Sequence, residues 1–245
     1  MPKCIFCKSD AGGFSTKEHI LPESLGGGDW ALLPDGLFCD GCQNRFGSEF
    51  EQQALADYPF SFLRVFLGIP TKKRKAPWFQ SWEGKVRAAL APGRIGYDPA
   101  PQFEAAVGYG HKSQLRLIAH PVRPQMICRA LVKMGIEVVA NDDKLGVFHE
   151  RYDAARVFAL EGRKSAEWWY LQREDMHTAS RFITRGVSPR EWQEGVRLSV
   201  STIAEDAEVF HLHLLYLDLM VPLDPRIQAP AIDELPGPEY RLFLV

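Results

Sequence analysis

Four cysteines near the start of the chain have the spacing of a metal site. They form two C-x-x-C pairs, Cys4 with Cys7 and Cys39 with Cys42. In a reducing compartment, cysteines at this spacing are more often metal ligands than disulfide partners. Two pairs supply the four thiolates of a closed, tetrahedral structural zinc site. The sequence therefore predicts one bound Zn²⁺ and a small module built around it.

The segment between the two pairs carries a carboxylate next to an imidazole, Glu18 followed by His19. A carboxylate oxygen is a preferred ligand of hard divalent cations such as Mg²⁺ and Mn²⁺. A neutral imidazole can accept a proton from water near neutral pH. Gly26–Gly28 permits the chain to reverse tightly and return toward Cys39. These residues predict a strand and turn that present Glu18 and His19 to a reacting water.

The segment after Cys42 is predicted to be a helix. Its apolar residues recur at helical spacing, which places Phe46, Phe50 and Ala54 on a buried face. Such a helix would present Gln43 or Asn44 to Glu18 and His19. Glu51 follows Gln43 by eight residues and shares its helical face.

Composition and charge divide the chain. Its 245 residues allow one or two domains, and 46% hydrophobic with 24% charged residues exclude a disordered chain, a collagen or a coiled-coil rod. Residues 1–55 hold four basic and eight acidic groups, a net of about −4, whereas 64–94 hold eight basic and one acidic, about +7. We expect a zinc module at 1–55, a basic Pro-flanked linker at 56–95 and an α+β domain at 96–245 that selects the substrate or a partner.

The third part is predicted from shorter patterns. Helical periodicity runs from Met126 to Val139, and Cys128 lies on its apolar side, where a core role is expected. Strands are predicted at 168–171, 209–221 and 240–245, and a hairpin at 103–120. No membrane-spanning run and no signal sequence is recognised in the sequence, so we expect no membrane partner and a cytoplasmic location.

Taken in order, the motifs of the first module resemble those of the HNH endonucleases. The resemblance covers about residues 4–55: C-x-x-C, then E-H-I-L-P and a glycine turn, then C-x-x-C followed by an amide residue and F-G. It implies a zinc-stapled ββα-metal module, an α+β fold, in which His19 is the general base. Glu18 would be a ligand of the catalytic divalent metal, Mg²⁺ or another ion.

The chain departs from the family pattern at two points. The residue after the last cysteine is usually asparagine and completes the metal site, but here it is Gln43, with Asn44 next. Either Gln43 keeps the ligand role, or Asn44 takes it, or the metal site is weakened. The asparagine of the loop between strand and helix has no counterpart, and Asp29 or Asp35 would have to replace it.

The expected function is hydrolysis of phosphodiester bonds by a metal-dependent endonuclease, with DNA as the expected substrate and bacterial or phage restriction or defence as the setting. The alternative is a catalytically degenerate zinc module that binds nucleic acid or a protein partner. The run Lys72, Lys73, Arg74 and Lys75 is expected to contact phosphates, since the catalytic module itself is acidic; its alternative is a solvated linker. Trp78, Phe79 and Trp82 are expected to dock domains rather than to stack on bases.

Overall fold

The α+β class is confirmed by the structure, a computed structural model that describes residues 2–68, 76–80, 83–88, 95–104, 120–162, 167–204 and 207–245. The zinc module begins with little regular structure. The expected hairpin is reduced to one antiparallel bridge between His19 and Leu32. The amide of Ile20 donates to the Ala31 carbonyl at 2.7 Å, and the amide of Leu33 to the Glu18 carbonyl at 2.9 Å. This bridge holds the Glu18-His19 dipeptide in an extended conformation.

The helix predicted after Cys42 is present. It runs as α1 (Asp40–Phe46), a π-helical turn (Gly47–Glu51) and α2 (Gln52–Ala56), and α3 (Phe60–Leu67) follows. Phe46, Phe50 and Ala54 are fully buried, as their spacing of four residues predicts. The buried face of this helix leaves Gln43 on the side that faces the bridge.

The range expected to be a basic linker contains α3 and the first two strands of a small antiparallel sheet of order β1-β2-β3, whose third strand begins at the end of that range. Its strands are β1 (Trp78–Gln80), β2 (Gly84–Ala88) and β3 (Ile95–Pro99). The Phe79 ring packs against Phe62 at 5.5 Å and Tyr58 at 6.2 Å between centroids. Both partners lie in the same range of the chain, so docking between domains stays a prediction. The basic run 72–75 and Trp82 lie outside the described residues, and the proposed domain boundaries stay predictions.

The third part holds a five-stranded antiparallel sheet of order β5-β6-β7-β4-β8. Its strands are β4 (Trp169–Glu174), β5 (Val196–Ala204), β6 (Ala207–Leu214), β7 (Leu217–Pro222) and β8 (Tyr240–Leu244). Its helices are α4 (Pro124–Asp142), α5 (Asp153–Glu161), α6 (Met176–Arg185) and α7 (Pro189–Glu194). The helix expected at 126–139 and the strands expected at 168–171 and 240–245 are confirmed.

One predicted strand, 209–221, is wrong: it is two strands joined by a turn at Leu215 and Tyr216. Both turn residues are buried and apolar, so the hydrophobic pattern continues through the reversal. Leu215 has φ +61°, a conformation that sequence patterns place at glycine or asparagine. The hairpin expected at 103–120 lies almost wholly outside the described residues, and Phe103 itself ends a short 3₁₀ turn.

The long helix α4 joins the two ends of the molecule. It contacts strands β5, β6 and β7 on one side and the π turn and α2 of the zinc module on the other. Cys128 is buried within it, as expected, in a core cluster that runs from Cys4 to the sheet. None of the described helices is long and apolar enough to cross a bilayer.

Candidate active site

The four paired cysteines converge at one point. Their sulfur atoms all lie within 4.8 Å of one another, and Cys7 Sγ is 3.7 Å from Cys39 Sγ. In a tetrahedral ZnS₄ centre with Zn–S bonds of about 2.3 Å, neighbouring sulfurs are about 3.8 Å apart. The set therefore fits Zn²⁺ in both ligand type and spacing.

Helix α1 and the third part of the chain stabilise this centre. Cys39 is the N-cap of α1, and its Sγ accepts a hydrogen bond from the Cys42 amide at 3.4 Å. Arg156, on α5, donates from Nε to the Ile5 carbonyl at 2.7 Å, inside the first cysteine pair. A hydrogen bond from the Cys42 thiol lowers the pKa of Cys4 to about 5, so one thiolate is already favoured without an ion.

A cleft of about 810 Å³ opens beside the zinc centre and contains the predicted reactive residues. Glu18 and His19 line it from the bridge, and Gln43 and Glu51 line it from the helix. The structure thus brings together the residues that sequence motifs had placed on a strand and a helix. Asn44 is exposed and is not part of the wall.

Glu18 is held by both of its carboxylate oxygens. Oε1 lies 2.7 Å from the ammonium of Lys133, and Oε2 accepts a hydrogen bond of 2.8 Å from Nε2 of Gln43. The Glu18 residue is only 8% exposed, so few conformations are open to it. A carboxylate with two such contacts has a fixed orientation relative to His19.

Lys133 comes from the middle of α4 and is the centre of a buried charge cluster. Its ammonium also lies 2.9 Å from Glu51 Oε1 and 2.8 Å from Glu137 Oε1. Burial alone would lower the pKa of Lys133, but the nearby carboxylates Glu137, Glu18 and Glu51 outweigh it and raise that pKa well above its usual value. The lysine is therefore a permanent cation beside Glu18.

Glu137 is the fully buried member of the cluster. Neither of its oxygens has a hydrogen-bond partner with suitable direction, although Oε1 is close to the Lys133 ammonium. Burial raises the pKa of Glu137 well above its usual value, and the charges of Glu18 and Glu51 act in the same direction against the opposing effect of Lys133. Glu137 therefore holds its proton to higher pH than an ordinary glutamate does.

Gln43 faces Glu18 through its amide nitrogen. Nε2 donates to Glu18 Oε2 and also to the Lys17 carbonyl at 3.0 Å. Because both partners are acceptors, the nitrogen and not the oxygen must point this way. In this arrangement Gln43 orients Glu18, and its own oxygen is turned away from that carboxylate.

His19 is partly exposed on the cleft wall, with 21% of its side chain accessible. Its Nε2 is 3.9 Å from Oε1 of Glu23, four residues later. The Glu23 carboxylate is placed to attract an imidazolium at this position. His19 thus has both access to solvent and a carboxylate 3.9 Å from its ring.

At this site, Glu18 is the residue whose carboxylate could bind a divalent metal. Within the described ranges, the cysteine cluster is the one group of three or more His, Cys, Asp or Glu side chains whose ligand atoms are close enough for an ion. Mg²⁺ commonly keeps several waters and is bound by one or two carboxylates together with substrate phosphates. Glu18 Oε2, with its remaining lone pair, fits such a ligand set, and Gln43 would join it only after its amide turned over.

Three charged residues of the site were missed in the sequence. Arg129, Lys133 and Glu137 recur at spacing four along α4 and form one charged face toward the zinc module. Arg129 lies 4.4 Å above the Phe50 ring and 3.3 Å from Glu49, which anchors the helix to the π turn. The spacing was visible, but a charged stripe on a helix is usually solvent-exposed, and only the packing shows otherwise. Arg64, on α3, also lines the cleft.

Comparison with known proteins agrees with this geometry. Residues 4–59 match a family model described as HNH endonuclease. No curated protein and no solved structure matches the chain. The site and the match together define the first quarter of the chain as an HNH module whose four cysteines fit zinc, joined here to an α+β part. This chain therefore carries a domain of the HNH endonuclease family. The function of that family is of the nuclease type, which implies binding to nucleic acid.

Proposed function

We propose that the protein is a metal-dependent HNH endonuclease that hydrolyses phosphodiester bonds of DNA. The observation that carries the proposal is the paired placement of His19 and Glu18 on one cleft wall, with Glu18 held by Lys133 and Gln43. A side chain needed only for packing would not require two charged or polar partners on opposite oxygens. The arrangement is that of a preoriented ligand beside a solvent-accessible base.

In the proposed reaction, His19 accepts a proton from a water molecule that attacks the phosphorus atom. Glu23 stabilises the imidazolium that results. A divalent ion bound by Glu18 would offset the negative charge that grows on the phosphate oxygens. The bond to the leaving oxygen breaks, and the family resemblance implies a 5′-phosphate product.

The proposal extends to the substrate path and the setting. Residues 1–55 carry a net charge of about −4, so phosphates need cations from elsewhere. We assign this role to Lys72, Lys73, Arg74 and Lys75. We also propose a cytoplasmic location and a part in bacterial or phage restriction or defence.

A plasmid-nicking assay with Mg²⁺, Mn²⁺ or Ni²⁺ tests the proposal. His19→Ala should lower the cleavage rate by about 100- to 10,000-fold, since it removes a general base. Zinc content and the melting temperature should stay unchanged, because His19 is at the cleft surface. The matched control is His177→Ala, an exposed histidine on α6, which should cleave like the parent. Cleavage by His19→Ala at the parental rate would show that the base is another residue.

One observation favours a second candidate, a zinc module that binds without catalysis. Gln43 presents its amide nitrogen to Glu18, where a metal-completing residue would present oxygen. The same assay separates the two candidates. A parent protein that binds DNA and cuts it with none of the three ions would support the binding module and contradict the nuclease.

A further inference from the structure

Arg64 is a cation of the cleft with no partner among the residues that the structure describes. It lies on α3, outside the matched family segment, and lines the same cleft as His19. Its side chain makes neither a hydrogen bond nor an ion pair with the described residues, and its Nε is buried. Burial lowers the pKa of Arg64, but an arginine at this position remains charged at any physiological pH.

A half-buried guanidinium without a partner is unfavourable for folding. Desolvating a charge costs free energy that only hydrogen bonds or an opposite charge can offset. Arginine side chains commonly extend their charged end toward water. In Arg64 only Nε is buried without a partner, and the two terminal nitrogens are open to the cleft and to an anion that enters it.

The acids of the cleft are already engaged elsewhere. Glu18 and Glu51 are paired with Lys133, and Glu23 is near His19. The positive charge of Arg64 therefore remains available to an external anion. The fit of a planar guanidinium to phosphate oxygens, through two parallel N–H···O bonds, makes phosphate the natural class.

A neighbouring residue also has an unused polar group. Helix α3 packs against the 3₁₀ turn Glu23–Leu25, which carries Ser24 on the wall of the cleft. The Ser24 hydroxyl is buried and has no hydrogen-bond partner in the described part of the chain. Two polar groups without partners among the described residues thus lie on packed elements of one cleft, where a ligand could contact both.

We infer that Arg64 binds a backbone phosphate of the nucleic-acid strand that enters the cleft beside His19. The inference rests on the proposed function, because it names a contact to the same substrate. It assigns Arg64 to substrate binding and not to the stability of the fold. It also makes α3, which follows the matched segment, part of the site.

The test measures DNA binding by a protein that carries His19→Ala, because this variant should leave the DNA uncleaved. A fluorescein-labelled 20-base-pair duplex is titrated with the full-length, zinc-loaded protein at several salt concentrations, and fluorescence anisotropy is recorded. Arg64→Gln should weaken binding roughly 10- to 150-fold, the range of hydrogen bonds to a charged group. The slope of log affinity against log salt should fall by about 0.9, one phosphate contact on duplex DNA. Lys144→Gln, which removes an exposed cation after α4, is the matched control and should change neither value.

Stability separates a ligand-binding role from a structural one. Arg64→Gln should unfold at the same denaturant concentration as its parent or a higher one, since the lost charge has no partner among the described residues. Arg64→Lys should keep the salt slope but lose affinity, because an ammonium cannot form the paired contact. If Arg64→Gln fails to fold, or binds with the parental slope, the inference is overturned while the nuclease proposal stands. If the background protein binds no duplex at all, the proposed function fails first and the Arg64 assignment with it.

Discussion

Replacing Lys133 by methionine tests whether the third part of the chain supports the HNH site. The substitution keeps the apolar stem in the core and removes only the ammonium. Three carboxylate oxygens at 2.7, 2.9 and 2.8 Å then lose their cation.

The size of the effect follows from burial. Removing one partner of a buried ion pair typically costs about 3–5 kcal/mol. Glu18 is nearly inaccessible, whereas 19% of the Glu51 side chain reaches solvent and water replaces part of its contact. We therefore expect Lys133→Met to lower the free energy of unfolding by about 3–5 kcal/mol. For a chain of this size that corresponds to a fall in melting temperature of roughly 6–20 °C.

Chemical denaturation, followed by fluorescence, measures the change, and Lys144→Met is the matched control on an exposed lysine. Cleavage measured well below the new melting temperature should also fall, because Glu18 loses the contact that orients it. Zinc content should remain near one ion per chain. A loss below about 1 kcal/mol with the same denaturant slope would refute the reasoning, since it would mean that the cluster is hydrated or that its acids are neutral.

The remaining predictions concern the zinc site, the choice between Gln43 and Asn44 as metal ligand, and the pH dependence of stability. Cys42→Ser should lose the zinc ion and unfold the first module, because the binding energy of a closed site is folding energy; full zinc content measured by atomic absorption would contradict the site. Gln43→Ala should raise the Mg²⁺ concentration needed for half-maximal cleavage while Asn44→Ala should not, since Gln43 contacts Glu18 and Asn44 is exposed. Equal effects of the two substitutions would contradict the preference for Gln43. Glu137→Gln should flatten the pH dependence of stability. The folded state holds a proton on Glu137 that the unfolded state releases above the ordinary glutamate pKa, so parental stability falls by up to about 1.4 kcal/mol per pH unit from there up to the raised pKa. Urea unfolding from pH 5 to 8 measures this slope, and an unchanged slope in the variant would place the proton elsewhere.

Much of the first module was determined by the sequence itself. Cysteine pairs, an acidic residue before histidine and a helix with buried residues at spacing four are local signals. The four cysteines that would bind zinc lie in these same segments, which is why short-range patterns suffice to predict them. The convergence of Cys4, Cys7, Cys39 and Cys42 and the burial of Phe46 and Phe50 followed from these signals.

Tertiary structure alone decided how Glu18 is held and which cations reach the cleft. Lys133 is 115 residues from Glu18, and its contact depends on α4 packing between the module and the sheet. Arg64 was visible only as one of several basic residues, and its isolation depends on which acids are already paired. The turn at Leu215 was hidden for a related reason, because its residues are as apolar as the strands they join. Burial and ion pairing depend on contacts between distant segments, and the spacing of residue types along the chain does not predict such contacts.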